Sequence, residues 1–247
     1  MRVNKWLGQA MATLLPYRCA LCGLYSDRDI PLCTGCREDL FPNHTPCSRC
    51  GLPLPTCHAP TAALHRVCGA CLSSPPLFDG VIAPWVYEDR VAYLIHQWKF
   101  RQAAHLTPLL ATLWLEQVRQ PEAVDVITPV PLHWVRRWRR GYNQADLLGR
   151  HLHNTLARMG TASRYEPRLL RRTRATAPQS GAGATDRQRN LVGAFTVQRP
   201  CDNLRIALVD DVMTTAATAA ETASALKRAG AREVQVWCLA RTPTPGV

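Results

Sequence analysis

Hydrophobic positions follow two different patterns on either side of residues 72–78. Before this segment, short apolar stretches are broken by turns and cysteines, whereas after it apolar runs of strand length alternate with amphipathic segments. The continuous runs predict buried strands, and the amphipathic segments predict helices with one buried face. The predicted strands are Val81–Tyr87, Val124–Val130, Arg205–Val209 and Val234–Leu239. The predicted helices are Val91–Phe100, Leu106–Val118, Asn143–Met159 and Ala217–Ala229.

This alternation predicts an α/β fold with a mostly parallel sheet flanked by helices, because parallel neighbours are joined by right-handed crossovers. We expect the α/β domain to span residues 78–242. An amphipathic helix is predicted for residues 1–18, a cysteine-rich domain for 19–72 and a tail for 243–247. The end of the chain, with Pro243 and Pro245 after Arg241, is expected to fray.

Composition narrows the class of protein. The 247 residues include 30 Lys and Arg against 18 Asp and Glu, a net charge of +12. With 47% hydrophobic residues, the chain buries enough apolar surface to offset the entropy of ordering, which excludes intrinsic disorder. No apolar run approaches the ~18 residues of a membrane span, and no signal peptide is recognisable, so we expect a cytoplasmic protein. The positive charge favours a polyanionic partner.

Eight of the 11 cysteines form four C-x-x-C pairs. Two such pairs complete a tetrahedral, structural four-cysteine zinc site. The pairs are Cys19/Cys22, Cys33/Cys36, Cys47/Cys50 and Cys68/Cys71, which predicts a zinc-ribbon domain holding one or two Zn2+ ions. Cys57 or His58 is a possible substitute ligand in the second set. Disulfide bonds are the alternative, but they need an oxidising compartment, which the missing signal peptide does not support.

The most informative stretch of the α/β domain follows the predicted strand Arg205–Val209. Two adjacent carboxylates, Asp210 and Asp211, stand where the strand ends, and hydroxyl and small residues then open a helix. These residues are Thr214, Thr215, Ala216, Ala217 and Thr218. A helix N-terminus offers unpaired N–H groups that suit a phosphate, and carboxylates accept hydrogen bonds from vicinal sugar hydroxyls. The stretch therefore predicts a ribose 5-phosphate site at the carboxyl end of the sheet.

Val209–Thr218 resembles the phosphoribosyl diphosphate (PRPP) motif of type I phosphoribosyltransferases. Nearly the whole chain resembles the ComF/GntX family, in which a cysteine-rich zinc finger precedes such a domain. Besides the PRPP stretch and the C-x-x-C pairs, the resemblance rests on residues 94–100 (LIHQWKF), 129–132 (PVPL) and 139–144 (RRGYNQ), and on Gln179, Arg187, Asn190 and Phe195. Several of these pieces are weak individually, but the set in this order is specific.

The resemblance implies roles for individual residues. Asp210 and Asp211 would hold the ribose hydroxyls as the catalytic pair, and residues 214–218 would hold the 5-phosphate. A lid formed by residues 171–190 would bring Arg172, Arg174 or Arg187 to the leaving group. The implied reaction is displacement of Mg2+-bound diphosphate from the anomeric carbon by a nitrogen nucleophile, with magnesium and arginine neutralising the leaving charge.

Two residues depart from the pattern that the resemblance implies. Ala216 replaces the usual Gly of the Thr-Thr-Gly turn; if the position needs positive φ, Ala costs on the order of 1 kcal/mol and its methyl group crowds the phosphate. Thr214 stands where members acting on purines carry an Asp, which makes a purine acceptor less favoured.

A basic and aromatic stretch adds a second hypothesis. Arginines interleaved with aromatic rings suit single-stranded nucleic acid, since they combine phosphate neutralisation with stacking. The residues are Trp134, Arg136, Arg137, Trp138, Arg139, Arg140 and Tyr142. The alternatives are a diphosphate site and packing between domains.

Two functions from different classes follow. One is a phosphoribosyltransferase; the other is a non-catalytic accessory protein that binds PRPP or nucleic acid. The ComF resemblance implies a part in natural competence, where the protein would help incoming single-stranded DNA at the DNA-uptake machinery. GntX-like members resemble the chain equally and imply no part in competence.

Overall fold

The computed structural model describes residues 17–55, 66–132, 138, 141–173 and 193–244. The helices in these residues are α1 (Thr34–Glu38), α2 (Gly69–Ser73), α3 (Asp89–Phe100), α4 (Thr107–Val118), α5 (Gln144–Arg158) and α6 (Ala217–Arg228), with a 3-10 turn at Ala104–Leu106. The strands are β1 (Gly80–Ile82), β2 (Trp85–Val86), β3 (Val126–Pro129), β4 (Arg164–Tyr165), β5 (Leu170–Arg172), β6 (Phe195–Val197), β7 (Arg205–Val209), β8 (Val212–Met213), β9 (Glu233–Trp237) and β10 (Ala240–Arg241).

Five parallel strands form the main sheet in the order β1-β9-β7-β3-β4. Its central strands are covered on both faces, so they read as nearly continuous apolar runs in the sequence. The prediction of a mostly parallel sheet flanked by helices is confirmed. In the register of the sheet, Pro129 and Trp237 lie opposite Val209 on either side, so three strands end together just before Asp210.

Alternate residues of β7 divide the core into two halves, because successive side chains of a strand point to opposite faces. Ala207 and Val209 pack with α3, α4 and α5, whereas Ile206 and Leu208 pack with α6. Buried cysteines of the first set join the α3–α5 side, and those of the second set join the α6 side. The cysteine-rich segment is therefore packed against both halves of the core.

The predicted strand Val81–Tyr87 is divided in two. β1 belongs to the main sheet, whereas β2 pairs with β10 in a three-stranded sheet of order β2-β10-β8. Pro84 has no N–H group for a ladder. The side-chain amide of Asn43 donates to the carbonyl of Ala83, and its backbone N–H donates to the carbonyl of Pro84. Asn43 of the cysteine-rich segment thus donates hydrogen bonds to the two carbonyls between β1 and β2.

The structure contains one element that the sequence did not predict, and it overturns one prediction about the end of the chain. The antiparallel hairpin of β5 and β6 was not predicted, since its strands have only three residues each. The expected fraying from Arg241 is wrong at that residue, because Arg241 is buried in β10 between β2 and β8. Residues 1–16 of the predicted helix over 1–18 lie outside the described residues; Arg18 pairs with Tyr25 in an isolated β-bridge.

The cysteine-rich segment is anchored to the α/β domain by charge as well as by apolar packing. Glu116 on α4 accepts from Arg28 at 2.8 Å and from Arg37 at 3.1 Å. The Arg37 guanidinium also lies 4.8 Å from the centre of the Trp85 ring. The part of the chain that the structure describes contains no candidate membrane-spanning helix.

Candidate functional site

The eight predicted cysteine ligands come together in two sets. The Sγ atoms of Cys19, Cys22, Cys33 and Cys36 lie within 4.8 Å of one another, and so do those of Cys47, Cys50, Cys68 and Cys71. Tetrahedral zinc with Zn–S bonds of ~2.3 Å places two sulfur atoms about 3.8 Å apart. The Cys22–Cys33 separation is 3.8 Å and the Cys50–Cys68 separation is 3.7 Å, so both sets fit structural zinc.

The two sets differ in burial, and each contains one acidic thiol. All four cysteines of the second set are buried, whereas Cys22 of the first set is exposed. Against the desolvation of the thiolate, backbone hydrogen bonds lower the pKa of Cys19 to about 6 and that of Cys47 to about 7. Thiolate is the form that binds metal. The possible substitute ligands Cys57 and His58 lie outside the described residues.

Asp210 and Asp211 sit where β7 leaves the main sheet. The backbone N–H of Asp210 still donates to the Trp237 carbonyl, at 2.9 Å. The next two N–H groups donate to side chains, that of Asp211 to Asp210 Oδ1 at 2.8 Å and that of Val212 to Asp211 Oδ1 at 2.6 Å. These bonds turn the chain away from the sheet and hold both carboxylates at its carboxyl edge.

The acid pair is electrostatically unequal. Desolvation, with the negative charge of Asp211, raises the pKa of Asp210 to about 7. Asp211 is instead paired with Lys99, whose Nζ lies 2.8 Å from Asp211 Oδ1, and both side chains are largely shielded from solvent. The Asp211 carboxylate is thus compensated by a cation, whereas hydrogen-bond donors of a ligand would stabilise the ionised Asp210 carboxylate.

The motif Tyr142-Asn143-Gln144 holds the end of α3 that carries Lys99. The Tyr142 hydroxyl donates to the Trp98 carbonyl, and Gln144 Nε2 donates to the Lys99 carbonyl at 3.4 Å. Asn143 caps α5 by accepting from the Ala145 N–H, and its amide donates to the Val130 carbonyl at 3.0 Å. Two sequence motifs therefore meet at the acid pair through Lys99 and Asp211, and a third holds the end of the helix that carries Lys99.

The predicted phosphate loop runs from β8 into α6. Thr214 and Thr215 are exposed, and Ala216 is left-handed at φ 62° as the N-cap of α6, with no side-chain cap. No described residue accepts a hydrogen bond from the backbone N–H groups of residues 214–219. These donors, the Thr hydroxyls and the positive end of the α6 dipole form an arrangement that suits an anion.

Arg172 is the predicted lid arginine that the structure describes. It ends β5, and its guanidinium lies 5.4 Å from the centre of the Phe195 ring across the hairpin. Its positive charge acts to lower the pKa of Asp210, so it lies within electrostatic reach of the acid pair. Arg174 and Arg187 lie outside the described residues.

A cleft of about 620 Å3 lies at the carboxyl end of β3. It is lined by Pro129, Pro131, Leu132, Asn143, Asp146, Arg150, Pro167, Arg168, Leu170, Arg171, Arg172 and Gln198. Four arginines against one carboxylate make this cleft cationic. A second cavity, of about 500 Å3, opens at the amino ends of β1 and β9 and is lined by none of the predicted site residues.

Most of the basic and aromatic stretch lies outside the described residues, namely Trp134, Arg136, Arg137, Arg139 and Arg140. Trp138 is described and is 83% exposed. Tyr142 is half-buried and bonded to α3 as above.

Two bacterial proteins are similar in sequence to most of the chain. It is 37% identical to "DNA utilization protein YhgH" of Escherichia coli (strain K12) over 217 residues, which cover 85% of this chain and 90% of that protein. It is 35% identical to "Competence protein F" of Haemophilus influenzae over 243 residues, covering 94% and 100% respectively. The chain belongs to the ComF/GntX family. This ComF/GntX protein also matches the model of the double zinc ribbon domain over residues 10–72.

Among solved structures, the protein is similar to the glutamine PRPP amidotransferase of B. subtilis in complex with ADP and GMP. The likeness has 20% identity and a TM-score of 0.32, and covers 56% of this chain and 26% of that one. A likeness at this level carries no argument for the site.

Sequence reasoning missed two residues of the site. Lys99 lies in the motif of residues 94–100, but nothing in the sequence pairs it with Asp211. Arg241 lies at the end of the chain, and its guanidinium reaches the Thr214 carbonyl in the phosphate loop. The only sequence signal near Arg241 was the predicted strand Val234–Leu239, which ends two residues before it.

Proposed function

We propose that this ComF/GntX protein binds PRPP with Mg2+ and transfers its phosphoribosyl group to a nitrogen nucleophile. The observation that carries the proposal is the joint placement of the acid pair and the open phosphate loop at one edge of the sheet. Asp210 and Asp211 are separated from α6 by a short turn whose N–H groups are unused by the described residues. Ribose hydroxyls would donate to the carboxylates while the 5-phosphate accepts from the loop.

The surrounding residues support charge handling at the diphosphate. Lys99 holds Asp211 in place, and Arg172, together with the arginines of the cleft beside β3, supplies positive charge for the leaving group. Bound Mg2+ would add charge neutralisation at the diphosphate oxygens. The cleft also offers room for the acceptor next to Pro129, one strand away from Val209.

Calorimetric titration of PRPP into the zinc-loaded protein, with and without Mg2+, tests the proposal. We expect Mg2+-dependent binding that is lost in D210N/D211N. Since the ionised Asp210 carboxylate accepts hydroxyl donors more strongly than the protonated group and its pKa is raised to about 7, binding should be stronger at pH 8 than at pH 6. The variant D29N/E38Q removes two exposed carboxylates of the cysteine-rich segment and should bind PRPP as the wild type does. Equal binding by D210N/D211N would refute the site.

A second candidate function is a binding protein without turnover, and Ala216 is the observation that favours it. Its φ of 62° places a non-glycine residue in the left-handed region beside the phosphate position. The two functions separate in an assay of diphosphate release from PRPP with nucleobases and single-stranded oligonucleotides as acceptors. Release that requires an acceptor establishes the transferase, whereas PRPP binding without release establishes the binding protein.

We further propose that the protein handles incoming single-stranded DNA together with the DNA-uptake machinery. The names of the relatives, "DNA utilization protein" and "Competence protein F", support this link, and so does the exposed Trp138 ring in the basic stretch. An aromatic face of this kind can stack with a base.

Fluorescence anisotropy with labelled single-stranded DNA over a salt series tests the DNA proposal. R136A/R137A should weaken binding and reduce the salt slope by about 0.7 for each phosphate that the variant no longer neutralises. W138A should weaken binding without changing the slope. R228A/R232A removes two exposed arginines at and just after the end of α6, outside this stretch of the sequence, and should leave both quantities unchanged. An unchanged slope in R136A/R137A would show that this stretch is not the DNA site.

A further inference from the structure

Arg241 is a buried arginine that connects two parts of the protein which the sequence keeps far apart. Its Nε donates to the carbonyl of Cys50, at 3.1 Å. Its Nη1 lies within hydrogen-bond distance of three carbonyls: that of Met213 at 3.0 Å, that of Thr242 at 2.9 Å, and that of Thr214. The residue is 8% exposed, so these bonds are made away from solvent. One planar guanidinium thus joins the second cysteine set to the phosphate loop.

The Cys50 end of this connection is held rigidly. Cys50 belongs to the second set of four buried thiols, and its Sγ lies 3.7 Å from that of Cys68. Gly51, which follows, has φ +67°, and a Cβ there would lie 2.9 Å from Val81 Cγ1 on β1. Asn43 donates to the Gly51 carbonyl at 2.8 Å. The position of the Cys50 carbonyl is therefore tied to the geometry of the cysteine set and to the edge of the main sheet.

The other end of the connection enters the loop that precedes α6. Met213 pairs with Arg241 in the register of β8 and β10, and Thr214 is the first residue after β8. Two residues later the backbone reaches Ala216 at φ 62°. Without the guanidinium, the half-buried Thr214 carbonyl would lose its donor, and the buried Met213 carbonyl would keep only the Thr242 N–H. Arg241 therefore helps to set the direction in which the loop leaves the sheet.

The positive charge of Arg241 also acts on the groups beside the phosphate loop. Among the described residues it has no carboxylate within ion-pair distance, so its cation is compensated by carbonyl dipoles. The charges of Asp210 and Arg241 act on the buried Cys238 thiol in opposite directions. Burial and the charge of Asp210 raise the pKa of Cys238 to about 12, and the charge of Arg241 opposes that rise. A buried, partly compensated cation next to the loop favours an anion bound there.

We propose that Arg241 is a positioning residue that couples zinc at the second cysteine set to PRPP at the phosphate loop, so that each ligand stabilises the site of the other. This inference rests on the proposed function, since it takes PRPP as the ligand of the loop. Coupling between two ligands is reciprocal. PRPP bound at the loop therefore slows the loss of zinc from the second set, and intact zinc coordination raises the affinity for PRPP.

Zinc release from the full, zinc-loaded chain into a zinc-selective chromophoric chelator tests the coupling. Release should occur in two phases, a fast one from the first set with its exposed Cys22 and a slow one from the buried second set. C22S removes the fast phase and so assigns the slow one. Saturating PRPP with Mg2+ should slow the slow phase by about fivefold or more, the range typical of coupled sites. Direct chelation of zinc by PRPP would act in the opposite direction.

Two arginine variants separate positioning from domain packing. In R241K one ammonium cannot span the Cys50 and Thr214 carbonyls, so the slow phase should lose its response to PRPP, and PRPP affinity should fall. R37K weakens a different interaction of the cysteine-rich segment, the pair with Glu116, which touches no loop residue; it should keep the response.

The outcomes are distinguishable from those of the proposed function. If calorimetry shows no PRPP binding to the wild type, the proposed function fails and this coupling fails with it. If PRPP binds but leaves the slow phase unchanged in the wild type, or slows it equally in R241K, the coupling is refuted while PRPP binding stands. Where R241K does not fold, the wild-type measurement still decides whether the two sites are coupled, since an unchanged slow phase refutes the proposal.

Discussion

Ala216 shows how one residue sets the quality of the phosphate loop. The loop needs a left-handed residue before α6, and Ala adopts φ 62° there without a capping side chain. Since the left-handed region costs a residue with a Cβ on the order of 1 kcal/mol relative to Gly, this turn lowers the stability of the fold. The replacement of Gly by Ala thus has the structural consequence that is expected when the turn requires positive φ.

A216G should raise the free energy of unfolding by about 1 kcal/mol, since Gly adopts this conformation without the steric cost. It should also strengthen PRPP binding, because the methyl group no longer occupies space beside the loop. Chemical denaturation and calorimetry measure the two effects. The matched control is A220G, inside α6, where Gly should destabilise by about 1 kcal/mol. Destabilisation by A216G similar to that of A220G would contradict the strain argument.

At the scale of elements, α3 carries two cations whose ion pairs differ in burial. Lys99, near its C-terminal end, pairs with Asp211 at 2.8 Å, and the side chains are only 14% and 18% exposed. Arg90, in its first turn, pairs with Asp39 at 2.9 Å, but those side chains are 46% and 50% exposed. Burial rather than distance separates the two pairs, because solvent screens the exposed one.

K99M and R90M form a matched pair, since Lys, Arg and Met have similar helix propensities. K99M should lower the free energy of unfolding at pH 8 by about 1–3 kcal/mol, because Asp211 loses its cation beside Asp210. R90M should change it by less than about 0.5 kcal/mol. Denaturation by urea measures both. The idea that Lys99 stabilises the acid pair would be wrong if the two variants behaved alike.

At the scale of the whole molecule, the cysteine-rich segment packs on both halves of the α/β core. The first cysteine set lies with α3–α5, and the second lies with α6 and shares its core with Ile206 and Leu208. Glu116, Asn43 and Arg241 add polar contacts across the junction, to Arg28, to the Ala83 carbonyl and to the Cys50 carbonyl respectively. The boundary proposed between residues 72 and 78 therefore separates two sequence patterns whose buried residues share the same two halves of the core.

Zinc content measures whether the two sets act separately. Atomic absorption should find two Zn2+ per wild-type chain and about one in C22S, because a four-cysteine site that loses a ligand binds zinc far more weakly. C201S, which changes a buried cysteine outside both sets, should keep two. One ion in the wild type, or none in C22S, would show that the sets do not bind independently.

Local patterns in the sequence determined much of this protein. The four C-x-x-C pairs predicted both sets of ligands, since two residues between thiolates suffice to shape one side of a zinc site. Apolar runs predicted β3, β7 and β9, and periodicity predicted α3 to α6, because a strand buried on both faces and a half-buried helix leave distinct patterns. The order of strand, paired carboxylates and small residues likewise located the candidate phosphate loop.

Tertiary structure alone decided which distant residues meet that loop. Lys99 reaches Asp211 because Tyr142 and Gln144 hold the end of α3, and Arg241 reaches Thr214 because β10 lies beside β8. The division of Val81–Tyr87 and the β5–β6 hairpin also depended on partners remote in sequence. Periodicity reports which face of a segment is buried, whereas a cation finds its carboxylate or carbonyl only after the strands are ordered in the sheet.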